Sequence, residues 1–378
     1  MMEYQKNSKY FAMVAGSLEQ IAALELAELG ATEIQTLYRG VSFKAEKADL
    51  YRILYSTRIC TRILAPLISF QSHNEKYLYK TAAQFDWQQI FSVKDSFGII
   101  SNVANSRIKN SLYAGQILKD AICDKFRESS GNRPDYDQKN PVVRLSLHVN
   151  ENWVNISLDL GGEPLHKRGY RLETVLAPLQ ETLAAAIIRV TQWQGDQVLY
   201  DPFCGSGTLL EEAMMHYCRI PAGYLRQKWG IDKLPDFDAN LWLLTQREAK
   251  GKIRDLPPYL IAGSDINPDN VRIACKNLNV FQQGFNIKLQ KSDFRNLPEM
   301  ENMTIVCNTP YGKRLQKEEI DKLLQDLGDF LKQNCQSCRA YILVGDKEFA
   351  SSLRLRTKMN KLLKNGDIES RLLRIDLY

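Results

Sequence analysis

Beyond residue 161 the chain predicts an α/β domain built on a mostly parallel, doubly wound sheet. Three observations carry this. Short apolar runs alternate there with segments whose apolar residues return at helical spacing, the pattern that produces βαβ units. Apolar residues make up 44% and charged residues 25% of the chain, the balance of an ordinary globular protein. Its 378 residues leave room for two or three domains with real cores.

In this third segment, 161–378, strands are expected at 198–201, 260–265, 287–293, 304–308, 340–346 and 372–378. Helical patterns at 181–193, 209–217, 268–278 and 317–333 separate most of them. Gly161-Gly162-Glu163-Pro164 reads as the boundary before it. Residues 1–65 read β-α-β-α, with strands at 10–15 and 40–43 and helices at 18–29 and 49–64. The second of these helices carries Arg52, Arg58 and Arg62 away from its apolar side, as a solvated face or as a phosphate-facing one. Residues 66–160 form another module, with strands at 97–103, 142–149 and 153–160. Its helix over 112–126 has the core stripe Leu112, Ile117, Leu118, Ala121, Ile122 and Phe126, and a loop covers 129–140.

The net charge of +6 is spread along the chain, so any nucleic-acid surface must come from folded placement of charge. No apolar run approaches the ~18 residues of a membrane span, and no signal peptide is visible, so no membrane association is expected. Eight scattered cysteines read as reduced thiols in a cytoplasmic protein. A zinc site on Cys335-Gln336-Ser337-Cys338 would want a second pair or nearby histidines. The four histidines, at 73, 148, 166 and 216, are distant in sequence. The expectation is two ordinary thiols near a helix end and no metal.

In sheets of this kind the ligand lies beyond the carboxyl ends of the strands, near the point where strand order reverses. Asp201-Pro202-Phe203-Cys204-Gly205-Ser206-Gly207-Thr208 follows the first strand. Gly205 and Gly207 would let a nucleoside cofactor approach backbone, and Asp201 can bind an ammonium. Such a loop can also serve NAD or phosphate, but no P-loop lysine follows it, which argues against an NTPase. Asp265 ends the second strand, where an acid can pair with both ribose hydroxyls. Its alternative is a helix N-cap, a role that Asn267 would fill equally well. Asp293 can accept from an adenine amine with Phe294 beside the ring, or can simply be a turn aspartate. Phe203, Thr208 and Ile266 complete the expected cofactor-binding set. The gap from Asp201 to Asp265 exceeds a simple βα unit, so an insertion is expected over 220–242, rich in Pro, Gly and Trp, that helps close the site.

Asn308-Thr309-Pro310-Tyr311 follows the apolar run Met303-Thr304-Ile305-Val306-Cys307. A strand that ends in an amide, a stiff turn and an aromatic ring suits a flat, amino-bearing base. With the glycine loop, this points to methyl transfer onto a nucleobase nitrogen. Such catalysis is mostly in-line positioning. Asn308 Oδ1 and a neighbouring backbone carbonyl would accept the amine hydrogens, and Tyr311 would stack a flipped-out base.

These residues resemble the class I S-adenosylmethionine-dependent methyltransferases that carry an Asn-Pro-Pro-Tyr type of motif. More closely, the chain resembles the THUMP-domain family of bacterial 23S rRNA guanine-N2 methyltransferases. The likeness rests on Leu165-His166-Lys167-Arg168-Gly169-Tyr170-Arg171, Ala177-Pro178-Leu179-Gln180-Glu181-Thr182-Leu183-Ala184-Ala185-Ala186, residues 201–208 and 308–315, Asn365-Gly366, and a THUMP-like helix at 111–126. It implies a ferredoxin-like module over 1–65, an RNA-gripping THUMP domain over 66–160 and a Rossmann-like catalytic domain over 161–378. S-adenosylmethionine is the implied cofactor and RNA the implied partner. Some family members carry a second methyltransferase domain behind this one; with the chain ending at Tyr378, only the guanine-N2 reaction is expected. Thr309 departs from the family's usual Pro. It is still held extended by Pro310, but adds an N–H and a hydroxyl beside the catalytic carbonyl. Competing readings are an adenine-N6 methyltransferase on RNA or DNA, a tRNA guanine-N2 enzyme, and a catalytically weak RNA-binding assembly factor.

Overall fold

The computed structural model describes residues 1–175, 178–310, 316–345, 347–366 and 368–378. Ala177, Tyr311 with the following 312–315, and the expected strand end at Asp346 lie outside the described residues. In chain order the helices are α1 (Glu3–Asn7), α2 (Glu19–Glu28), α3 (Lys47–Ser56), α4 (Glu75–Gln84), α5 (Ser111–Ser130), α6 (Glu181–Thr191), α7 (Thr208–Cys218), α8 (Ala239–Lys250), α9 (Pro268–Leu278), α10 (Lys317–Asn334) and α11 (Lys347–Ser352). Two compact units emerge. One holds Met1–Val14, Ala23–Leu165 and Arg226–Arg247; the other holds Ala15–Ala22, His166–Leu225 and Glu248–Tyr378.

In the first unit, β1 (Lys9–Val14), β2 (Thr32–Leu37), β3 (Gly40–Lys44), β4 (Cys60–Gln71), β5 (Phe97–Ala104), β6 (Val143–Asn150) and β7 (Trp153–Asp159) share one sheet in the order β2-β3-β1-β4-β7-β6-β5. The long strand β4 pairs with β1 on one side and β7 on the other, so it serves both of the expected modules. It also corrects the expected helix over 49–64. Leu50, Ile53 and Leu54 do face the core on α3, but the helix stops at Ser56. From Cys60 the β-branched Thr61 and Ile63 favour the pleat. Arg62 therefore sits on β4, where it pairs with the buried Asp159 of β7. Arg52 pairs with Asp49 at 2.7 Å and donates to Leu29 O. Arg52 thus lies on the solvated side of α3, whereas Arg62 leaves the expected arginine face.

The insertion expected between Asp201 and Asp265 divides between the two units. Its Arg226–Arg247 stretch belongs to this first unit and packs on α3. Trp242 lies 5.5 Å from the Tyr51 ring and 5.9 Å from that of Tyr55, Trp229 packs 5.1 Å from Trp242, and Phe237 adds a contact to Tyr51. Edge-on ring pairs of this kind are worth about 0.5–1.5 kcal/mol each beyond their burial. Arg226 then anchors the stretch by donating to the carbonyls of Gly161, Glu163 and Pro164.

In the second unit, β8 (Leu199–Asp201), β9 (Ile261–Asp265), β10 (Lys288–Lys291), β12 (Thr304–Asn308), β14 (Arg339–Val344), β15 (Met359–Asn365) and β16 (Ile368–Asp376) form a sheet in the order β10-β9-β8-β12-β14-β16-β15. The short β11 (Met300–Glu301) and β13 (Cys335–Gln336) pair separately. Pairing is parallel from β10 through β14 and antiparallel where β16 meets β14 and β15. The doubly wound, mostly parallel sheet expected from the sequence is present. Every residue of β8 and β9 is buried, which is why these strands read as continuous apolar runs. The chain leaves β8 towards β9 and β10, then returns to β12 and builds outward on the other side. The order reverses between β8 and β12, so the ligand crevice of such a sheet opens at Asp201 and Asn308.

Cys335 and Cys338 are buried at the end of α10. The Cys338 sulfur accepts from Met303 N–H at 3.4 Å, so the pair is part of the packing around β11 and β13.

The Arg62–Asp159 pair generates a test. Burial pushes the Asp159 carboxyl up, the Arg62 charge opposes this, and Gly161 N–H donates to it at 3.0 Å. Removing the guanidinium leaves a buried, uncompensated acid, so Arg62→Met should cost about 3–5 kcal/mol. Adding Asp159→Asn keeps an acceptor for Gly161 and should recover most of the loss in urea unfolding. Equal losses in the single and double variants would show that the pair is not what holds β4 to β7.

Candidate active site

Asp201 closes β8 and is 1% exposed. Its Oδ1 accepts from Phe203 N–H at 2.9 Å, and among the described residues no cation pairs with it. Burial, together with the nearby Asp265 charge, pushes its carboxyl up to about 8 against that hydrogen bond. A buried acid without a counter-charge is a natural seat for a ligand's ammonium. The loop that follows turns through Gly205 at φ +53° and Gly207 at φ +85°. Gly207 has a second constraint. A Cβ there would lie 3.2 Å from Ala274 Cβ on α9, so loop and helix would have to move apart by a few tenths of an ångström. Thr208 then opens α7.

Asp265 does more than end β9. Its Oδ2 accepts from Gly205 N–H at 3.0 Å, and its Oδ1 accepts from Asn267 N–H at 2.9 Å and Asn270 Nδ2 at 3.1 Å. The carboxylate thus ties the glycine loop to the entry of α9, leaving one lone-pair direction on Oδ2 for an outside donor. The N-cap of α9 is Asn267, whose side chain accepts from Asp269 N–H. Ile266 is 63% exposed, an apolar side chain presented beside the loop.

Asp293 follows β10 and caps the short turn after it, accepting from Arg295 N–H at 3.0 Å. It also pairs with the Arg295 guanidinium at 2.9 Å, which in turn reaches Asp326. The structure therefore gives Asp293 the duties of a turn aspartate. Phe294 is buried in the core, its ring 5.2 Å from that of Phe203 and 5.9 Å from that of Phe330. Asp201, the loop and Asp265 come together as a hydrogen-bonded group; Asp293 and Phe294 are committed chiefly to their own turn and core.

At the other side of the switch point β12 ends in Asn308. Its side-chain Oδ1 is buried and has no hydrogen-bond partner among the described residues. Thr309, 1% exposed, donates both its N–H (3.1 Å) and its hydroxyl (3.0 Å) to Leu343 O on β14. The two polar groups that distinguish it from Pro are thus engaged by the neighbouring strand and do not crowd the site. Pro310 follows, partly buried.

Two supports escape the sequence reading. Asn277 on α9, 2% exposed, accepts from Leu172 N–H and Glu173 N–H and donates to Glu173 O and Ser206 O, at 2.9–3.1 Å. That uses all four of its hydrogen-bonding positions and pins residues 172–173 to the glycine loop. A polar residue beside the apolar Ala274 and Leu278 of an amphipathic helix is the only trace of it in the sequence. Arg171 donates to Leu179 O at 2.8 Å and Thr208 Oγ1 at 3.0 Å and pairs with Glu181. It joins three of the motif segments that the sequence left far apart.

Comparison with known proteins agrees with this architecture. An RlmL ferredoxin-like domain matches residues 9–64, a THUMP domain residues 72–159, and an RMKL-like methyltransferase domain residues 168–374. The chain belongs to the RMKL-like RNA methyltransferase family. A Synechocystis sp. protein with a provisional RNA methyltransferase name is 35% identical over 98% of this chain and 97% of its own length. The ribosomal RNA large subunit methyltransferase K/L of Photobacterium profundum is 36% identical over 96% of this chain but only 52% of its own. The chain thus spans about half the length of such K/L relatives. A provisionally named methyltransferase solved with SAH shares the fold, with a TM-score of 0.87 at 24% identity and 98% of each chain covered. No helix among the described residues is long and apolar enough to cross a membrane. The family found is the one that the motifs of the sequence resemble.

The buried acid gives a pH test. Folded Asp201 keeps its proton up to about 8, whereas an unfolded aspartate loses it near about 3.9. Its contribution to stability is fully present below the lower value and is lost as pH rises through the higher one. In urea unfolding of ligand-free protein between about pH 5 and about pH 8, Asp201→Asn should show a shallower decline than the wild type. Parallel declines would mean that Asp201 is ionised in the folded state.

Proposed function

We propose that this protein transfers a methyl group from S-adenosylmethionine to the exocyclic N2 amine of a guanine in RNA, with 23S rRNA the favoured substrate. The observation that carries the reading is the buried Oδ1 of Asn308 at the switch point, which has no partner among the described residues. When bound, the cofactor supplies a methyl group already activated on a sulfonium.

The residues present fit that group. Asp201, protonated in the free protein, gives up that proton to face the ammonium as a carboxylate, the positive-φ glycines let the amino-acid part lie against backbone, and the remaining lone pair of Asp265 can take a ribose hydroxyl. Ile266 gives the purine an apolar neighbour. Asp293 can accept from the adenine amine only by sharing a carboxylate that Arg295 already holds, with Phe294 and Phe203 forming the wall behind. Thr208 helps fix the loop through Arg171.

An exocyclic amine is a poor nucleophile because its lone pair is delocalised into the ring. Accepting its hydrogens at Asn308 Oδ1 and at the carbonyl beside it favours the pyramidal, attacking geometry and stabilises the positive charge that develops. Pro310 stiffens the backbone there, and Tyr311 is the expected stacking face for a flipped base. Little acid–base work is needed; the site acts by positioning. The THUMP match over 72–159 supports RNA as the substrate class. The names of the K/L relatives support large-subunit rRNA, and the same lineage supports a cytoplasmic enzyme.

The test is to incubate the protein and labelled cofactor with separate pools of rRNA, tRNA and DNA, then identify the modified nucleoside. N2-methylguanosine from large-subunit RNA is the expected product. N6-methyladenine as the main product overturns the guanine assignment, label mainly in tRNA overturns the rRNA one, and RNA binding with no label in any pool overturns the enzymatic reading.

A further inference from the structure

We infer that Thr309 is a positioning residue, holding Asn308 in its reactive orientation by suspending the end of β12 from a single carbonyl of β14. The inference rests on Asn308 as the amine acceptor proposed above. Asn308 pairs in register with Leu343, the last such pair between β12 and β14. The N–H of Thr309 closes that last rung by donating to Leu343 O at 3.1 Å, and its hydroxyl adds a second bond to the same carbonyl at 3.0 Å, where the ladder would otherwise end on one bond. Both lone pairs of that carbonyl are then filled.

The geometry matters because the peptide between Asn308 and Thr309 sets the direction of the Asn308 side chain. Rotating that peptide breaks the bond from Thr309 N–H, and the hydroxyl resists the same motion from the side chain. Thr309 is buried and its hydroxyl is committed to β14, so it does not itself meet a substrate. A proline in its place has neither donor. In this chain proline would strip a buried carbonyl of both partners, so the residue usual in the family is here the disruptive one. Threonine holds by hydrogen bonding what ring stiffness alone would have to hold.

Three variants separate the possibilities. Thr309→Val keeps the branched shape and removes only the hydroxyl, Thr309→Ser keeps the hydroxyl, and Thr309→Pro removes both donors. For Val, kcat should fall by roughly ten- to a hundredfold, the scale of a small misplacement, with KM for the cofactor unchanged. Ser should return kcat to near the wild-type value, and Pro should be at least as impaired as Val. Wild-type kcat in Val, or failure of Ser to rescue, overturns the inference. A second readout needs no substrate: in 15N-labelled protein the Asn308 side-chain amide signal should shift in Val and return in Ser. An unmoved signal overturns the inference whatever the reaction proves to be, whereas an inactive wild type with the expected shifts overturns the proposed reaction alone.

Discussion

A buried polar atom without a partner costs about 1–3 kcal/mol, and at the carboxyl end of β12 Asn308 Oδ1 has none among the described residues. The surroundings make this instructive. Asn277 on α9, by contrast, has every position of its amide filled. Asp265 holds three donors and Leu343 O holds two from Thr309. Asn308 Oδ1, where strand order reverses, has no partner among the described residues, as is also true of Ser264 Oγ and the Glu211 carboxylate in the same unit. Asp201, buried with no cation among the described residues, lies on the β8 side of the same switch point.

The supports explain how such an arrangement persists. Asp265 and Asn277 bind the glycine loop to α9, and Arg171 binds it to the segment entering α6. Each tie connects stretches that are distant in sequence, so the loop is held from several sides before any ligand arrives. That is the preorganisation that positioning catalysis requires. In the other unit a comparable economy appears: β4 serves as the shared strand of a single sheet, and the aromatic insertion is folded down onto α3.

How much of this was legible in the sequence depended on the range of the interaction. The central parallel strands were visible because burial on both faces leaves continuous apolar runs, and Asp201, Asp265 and Asn308 were visible because they end such runs. The edge strands β2 and β15 are largely exposed and lack an apolar pattern, so they were not seen. The start of β4 was absorbed into a helix because Leu50, Ile53 and Leu54 have helical spacing and nothing marks the stop at Ser56. Phe294 illustrates another limit. An aromatic after a strand reads the same whether or not it also packs into the core, and its packing against Phe203 and Phe330 depends on residues distant in sequence. Asn277 and Arg171 act wholly through long-range bonds, for which a single sequence has no signal. Thr309 could be seen as a departure, but its bonds to Leu343 depend on the neighbouring strand.

The account makes the open oxygen of Asn308 a feature kept for chemistry at some expense to stability. Asn308→Ala, measured in the ligand-free protein by thermal unfolding alongside methyl transfer, tests that directly. The expected result is a midpoint equal to or above that of the wild type, with transfer nearly abolished and cofactor binding retained. A marked fall in the midpoint would contradict the account, because it would mean that the amide is already part of the structural framework.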